Sequence, residues 1–152
     1  MKRYSFDSKV GLVTIFYEND YVTKINLQSS EKFADEPNEI VILAKQEILE
    51  YLDGMRKEFS FPISFSGSVF VKKVLSTMRK IPYGKTWSYS RLAKESDYEK
   101  AVRAVGTVCK NNPLPLIIPC HRVIKKSGDI GYFNGGVELK TKLLNIEKNP
   151  SK

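Results

Sequence analysis

The residues with the most chemistry in this chain are adjacent. Ile117-Ile118-Pro119-Cys120-His121-Arg122-Val123 places a thiol beside the only histidine, directly after a proline and at the end of an apolar run. Proline fixes its own φ, removes a backbone donor and drives the preceding residue toward extended geometry, so Cys120 is expected to open a turn at a strand-like edge. The thiolate is the reactive form and a free cysteine titrates at ~8.5, so a nucleophilic Cys120 needs a base or a positive field beside it. His121 and Arg122 are both candidates. Sequence neighbours do not face each other on a regular helix, so a link from Cys120 to His121 has to run through turn geometry or a bridging water. By residue type alone, a cysteine after Leu116-Ile117-Ile118-Pro119 reads more readily as a buried small hydrophobe, and a lone histidine as a satisfied structural residue. The elements that must position the pair decide between these readings.

Those elements lie in two halves of opposite charge. Residues 1–65 carry 8 Lys and Arg against 11 Asp and Glu, whereas residues 66–152 carry 17 against 6. Such asymmetry points to a polyanion as partner of the second half, with a solvated lysine-rich surface as the plainer explanation. A length of 152 residues, 41% of them hydrophobic, suffices for one good core or two small modules. No apolar stretch approaches the ~20 residues that span a bilayer, and Lys2-Arg3 is not followed by a hydrophobic signal core. The chain is therefore expected off the membrane and in the compartment where it is made, the cytoplasm or, in a eukaryote, the nucleus. Two cysteines suggest a reducing environment, and with one histidine they do not amount to the four ligands of a structural zinc site.

The first half predicts antiparallel β structure followed by a helix. Leu12 to Tyr17 is β-branched and aromatic, Glu18-Asn19-Asp20 is a turn, Tyr21, Thr23, Ile25 and Leu27 alternate, and Tyr4-Ser5-Phe6 suits a third strand. Ile40, Leu43, Ala44, Ile48, Tyr51 and Leu52 recur at helical spacing, with Gly54 as a terminating glycine. The expected boundaries are a domain over residues 1–60, a linker over 61–67 containing Pro62, and a second domain over 68–152.

The second half is expected to be mostly helical. Ser68 can cap a helix with Phe70, Val71, Val74, Leu75 and Met78 on one stripe, and Ser88 can cap a short one with Leu92 and Ala93 inward. A third helix is predicted from Tyr98 or Glu99 to about Lys110. Val102, Val105 and Cys109 form its core stripe, so Cys109 reads as a buried structural thiol. Lys100, Arg103, Thr107 and Lys110 occupy the other side. A short helix, a turn and a basic second helix is the helix-turn-helix pattern. Gly106 costs helix propensity and so suggests the close approach of another backbone or of a partner. Asn111 to Pro115 stops the helix, Ser127-Gly128-Asp129 turns the chain, and Gly131 to Gly136 is a glycine-rich loop. A last helix from Val137 to Glu147 is expected to bury Leu139, Leu143, Leu144 and Ile146.

With Ser88-Tyr89, Arg103-Ala104-Val105-Gly106, Asn112-Pro113, Ile118 to Val123, Gly131 to Gly136 and Leu143 to Glu147 in this order, the chain resembles the O6-alkylguanine-DNA alkyltransferases, also called methylated-DNA–protein-cysteine methyltransferases. The motifs cover nearly all of residues 68–147. The resemblance implies an α/β chain of the α+β kind: a ribonuclease-H-like small antiparallel sheet with a helix, then a winged-helix or helix-turn-helix domain. It further implies a single-turnover DNA repair enzyme in which Cys120 takes the alkyl group from O6 of a damaged guanine in double-stranded DNA and keeps it as a thioether. His121 would be the base, acting through a water, and Glu147 would orient it. Tyr89 would donate to N3 of the leaving guanine, and Asn112 would brace the turn that carries Cys120. Arg103 would fill the place of the flipped nucleotide, with Gly106, Lys100, Thr107 and Lys110 against the DNA. Val123, Asn134, Gly135 and Pro115 would line the alkylguanine pocket. No metal and no cofactor is implied, and a monomer is expected, with cooperative binding along DNA compatible with it.

Three other readings compete. An alkyltransferase-like protein that binds damage without repair would lack Cys120, a winged-helix regulator would not need the Cys, His and Glu set, and a cysteine hydrolase normally keeps its histidine remote in sequence from the nucleophile.

Overall fold

The computed structural model describes residues 1–131, 133 and 135–150, and these form two compact units, residues 1–65 and residues 66–148. In the first unit, β1 (Lys2–Ser8), β2 (Gly11–Glu18) and β3 (Tyr21–Asn26) make an antiparallel sheet in the order β1-β2-β3. Their turns use Gly11 and Asn19 at positive φ. Helix α1 (Glu39–Leu52) starts at Asn38, whose side chain accepts from the Val41 amide, and buries Val41, Ala44, Ile48, Tyr51 and Leu52, while Ile40 and Leu43 of the predicted stripe are only half buried.

Two expectations for this unit are corrected. The alternation from Tyr21 to Leu27 does not define the inner face, because the register with β2 slips between Phe16 and Tyr17. Tyr17 pairs with Val22 and Phe16 with Lys24, which leaves Thr23 as the extra residue of a bulge and turns Val22 and Ile25 inward while Tyr21 is half exposed. The stretch expected as linker begins inside the unit: Phe61 is buried, the Val22 amide donates to the Pro62 carbonyl, and the Ser64 amide donates to the Val22 carbonyl. Pro62 fits there because an edge pairing asks no donor of it.

The second unit contains α2 (Val69–Met78), β4 (Trp87–Ser88), α3 (Tyr89–Glu95), α4 (Val102–Lys110), a 3-10 turn at Cys120–Arg122, β5 (Val123–Ile124) and α5 (Val137–Lys148). The hydroxyls of Ser68 and Ser88 accept from the amides of Val71 and Arg91, capping α2 and α3 as expected. Helices α2, α3 and α4 pack on one another through Val74, Leu75, Met78, Leu92, Ala93 and Val105, all essentially buried. Helix α4 starts later than its periodicity suggested. Asp97 takes a positive φ and the Ala101 amide closes a turn on the Tyr98 carbonyl, while the Tyr98 ring meets Phe70 edge-on at 4.7 Å. Lys100 therefore lies in the turn before the helix. Helix α5 also differs: its fully buried positions are Leu139, Lys140, Leu143 and Glu147, and Leu144 and Ile146 are only half buried. Among the described residues no helix is long and apolar enough to cross a membrane.

Candidate active site

The peptide that presents Cys120 is held by short-range bonds. Asn112, just past the end of α4, accepts from the Leu114 amide at 2.9 Å and donates through Nδ2 to the Ile118 carbonyl at 2.7 Å. These two bonds brace a loop in which Leu116 takes φ +79, a costly conformation for a γ-branched residue. Pro119, at φ −80 and ψ 67, occupies the centre of an inverse γ-turn closed by the Cys120 amide on the Ile118 carbonyl at 2.8 Å. The ring of proline pre-sets that φ, which is the physical use of a proline immediately before the thiol. The Arg122 amide then bonds the Pro119 carbonyl and winds Cys120–Arg122 into the 3-10 turn.

The turn leads into β5, which pairs in parallel with β4, Val123 opposite Trp87 and Ile124 opposite Ser88. Because α3 follows β4 directly, this pairing brings Tyr89 alongside the Cys-His-Arg turn. Tyr89 lies between two glycines: a Cβ added to Gly106 would lie 3.9 Å from its Cδ1, and one added to Gly131 would lie 3.4 Å from its hydroxyl. Burial pushes the Tyr89 phenol up to about 12, helped by Cys109 and Cys120, so at neutral pH it is a donor. Cys109 is buried on α4 as expected, its thiol pushed up to about 12 by burial.

Cys120 itself is 7% exposed. Burial raises its thiol above the ordinary value, opposed by hydrogen bonds from the Asn112 side chain, the charge of Lys140 and the backbone amides of Cys120 and His121. The thiol is therefore protonated at rest, in surroundings arranged to favour the thiolate.

Next to it is a closed charge network. His121 has no exposed surface and its Nε2 lies 2.6 Å from Glu147 Oε2. Arg122 donates to both oxygens of Glu147 at 2.9–3.1 Å and to the Ile81 carbonyl at 2.8 Å, and the Gly84 amide adds a bond to Glu147 Oε1. Burial alone would raise the Glu147 carboxyl, but the bonds and charges of His121 and Arg122 outweigh it and hold the group at about 2. Burial lowers His121, against the pull of Glu147 and with Arg122 and Lys140 adding to the lowering. At neutral pH the pair is imidazole beside carboxylate.

Sequence reasoning missed Lys140. It is fully buried, donates from Nζ to the Val123 carbonyl at 2.6 Å, lies 5.9 Å from the Tyr89 ring centroid, and is pushed down to about 8 by burial. Its spacing from Glu147 along α5 is the available signal, because positions seven apart share a helix face. Arg122, considered above as a source of positive field for the thiol, is instead committed to Glu147 and Ile81; the positive charge that acts on Cys120 is that of Lys140.

Of the remaining expected site residues, Val123 is buried in β5, and Pro115 and Gly135 are half buried. Asn134 lies outside the described residues. Arg103, Thr107 and Lys110 are exposed on α4, at spacings of four and three that share a helix face, and Lys100 is exposed in the turn before it.

Comparisons with known proteins give the chain its relatives. The family model for the DNA-binding domain of 6-O-methylguanine DNA methyltransferase matches residues 69–149. The constitutive methylated-DNA–protein-cysteine methyltransferase of Bacillus subtilis is 40% identical over 154 aligned positions, covering 93% of this chain and 92% of that protein. The inducible enzyme of the same organism is 45% identical over 105 residues, covering 69% of this chain and 59% of that longer protein. The crystal structure of Mycobacterium tuberculosis OGT in complex with DNA superposes with a TM-score of 0.89 at 30% identity, covering 97% of this chain and 93% of that one. With its second unit matched by the family model and nearly its whole length matched by a relative, the chain belongs to the methylated-DNA–protein-cysteine methyltransferase family.

Proposed function

We propose that this protein repairs DNA by moving the alkyl group of an O6-alkylguanine in a duplex onto Cys120, once per molecule, acting as a monomer. The observation that carries the reading is the thiol set between the Asn112 brace, the Lys140 charge and the His121-Glu147 pair. In this reading the Cys120 proton passes to neutral His121 through a water. Sulfur then attacks the alkyl carbon, the S–C bond forms as the C–O6 bond breaks, and the electron pair leaves on guanine. Tyr89, protonated at neutral pH, donates to N3 of that leaving group. A thioether has no good leaving group in the site, so the product persists.

An O6-alkyl group inside a stacked duplex is out of reach, so the nucleotide has to be extruded, at a cost of a few kcal/mol offset by phosphate contacts and an inserted side chain. The exposed Arg103 supports the inserting role, and Lys100, Thr107 and Lys110 support contacts to the backbone. Among the described residues nothing demands a glycine at position 106, since an added Cβ would make only ordinary contact with Tyr89. That leaves close approach by the DNA as the reason for it.

Intact-protein mass spectrometry with peptide mapping, after mixing with duplex DNA containing O6-methylguanine, tests the proposal. One methylene of added mass, saturating at one equivalent and located on Cys120, is expected. Cys120→Ala should keep DNA binding and gain no mass. A wild-type protein that binds the DNA tightly yet gains no mass would be a damage-recognition protein instead.

A further inference from the structure

His121 shares its carboxylate with a second cation. Glu147 Oε2 takes His121 Nε2 at 2.6 Å and Arg122 Nη2 at 3.0 Å, while Oε1 takes Arg122 Nε and the Gly84 amide, each at 2.9 Å. All three residues are 6% exposed or less. A buried carboxylate bonded to an imidazole alone favours the imidazolium, because an opposite charge within hydrogen-bonding distance stabilises the charged form. An imidazolium cannot accept the proton of Cys120. The carboxylate that orients the base therefore also threatens to disable it.

The guanidinium answers that conflict. Its positive charge meets the negative charge of the carboxylate, and its fork fixes the carboxylate's plane. Through Nη1 it is anchored on the Ile81 carbonyl, and its Cζ lies 5.5 Å from the Tyr83 ring centroid. We propose that Arg122 is a positioning residue for alkyl transfer: it takes up the charge of Glu147 so that His121 meets the thiol as an oriented but neutral imidazole. The groups facing His121 agree with this assignment. From α5 come Glu147 and Lys140, from its own turn Cys120 and Arg122, and from the segment before β4 Tyr83 and the Gly84 amide, which face Glu147. Of the charged groups among these that act on His121, only Glu147 favours the imidazolium; Arg122 and Lys140 oppose it. The consequence for rate rests on the alkyl-transfer reading, but the charge balance does not.

His121 is the only histidine, so isotope-labelled histidine gives a single imidazole signal in NMR that can be titrated without assignment. Wild type should stay neutral down to a pH below the ordinary ~6.5 of a histidine. Arg122→Gln should raise the His121 midpoint by about one pH unit or more. The acid limb of the transfer rate should move by the same amount, with the rate recovering on the alkaline side. Arg122→Lys, which restores the charge without the fork, should return the midpoint most of the way. A wild-type midpoint at or above the ordinary value overturns the proposal. So does an Arg122→Gln protein whose rate falls equally at every pH while the His121 midpoint stays put. Burial also lowers the wild-type midpoint, so the decision rests on removing the charge; should Arg122→Gln not fold, Arg122→Met, which removes it on an unbranched chain, takes its place. A protein that transfers no alkyl group would leave these titrations readable, so the two readings fail separately.

Discussion

A buried thiol has to lose its proton when the substrate arrives, and each residue around Cys120 bears on that event. Burial raises the thiol and so favours its protonated form at rest, while Asn112, Lys140 and two amides stand ready for the anion. Glu147 has a cost and a benefit that can be measured. Its carboxyl is held at about 2 against an ordinary 4.5, so the native state binds fewer protons than the unfolded chain between those values. The group contributes about 3 kcal/mol of stability above pH 4.5, and that contribution disappears as the pH falls toward 2. Urea unfolding of wild type and Glu147→Gln between pH 6 and pH 3 should show the wild type losing its advantage on acidification; parallel curves would disprove the assignment. Cys120, His121 and Glu147 were legible as a set through the resemblance of their motifs. Lys140 was not, because a lysine on an amphipathic helix reads as solvated until the Val123 carbonyl that captures it is known.

Among the elements, local signals worked where the physics is local. Ser68 and Ser88 announce their helices because a cap bonds an amide three residues away. The β3 bulge, the late start of α4 and the inward side of α5 depend on partners remote in sequence, and periodicity alone misplaced all three. The pairing of β4 with β5 was invisible for the same reason: two-residue strands carry no pattern, yet they set Tyr89 beside Cys120. Helix α4 offers two tests. Arg103→Ala should weaken transfer from duplex DNA more than transfer from the free alkylguanine base; equal losses on both substrates would remove Arg103 from the flipping step. Gly106→Ala should raise thermal stability, by up to about 1 kcal/mol, because alanine is the better helix former and the added Cβ meets only ordinary contact. The same variant should slow repair of duplex DNA, and a stabilised protein with unchanged duplex activity would show that DNA does not approach there.

Over the whole molecule, the charge is divided as the chemistry is. The excess of Lys and Arg falls after residue 65, in the unit that also holds the thiol, and the first unit is slightly acidic. Binding to undamaged duplex should therefore weaken steeply with salt, log affinity falling linearly with log salt concentration. Lys110→Ala should reduce that slope by about one if the side chain meets a phosphate; an unchanged slope would place Lys110 off the DNA. Helix α5 has a further consequence, in time rather than in space. It supplies both Lys140 and Glu147, yet it follows Cys120 in the chain. A ribosome therefore makes the nucleophile before the groups that control it, and the thiol of a growing chain stays an ordinary cysteine until the last helix has been synthesised and has docked. The charge for the thiolate and the carboxylate that holds the base arrive only with α5, so the alkyl transfer proposed above has to wait until that helix has docked.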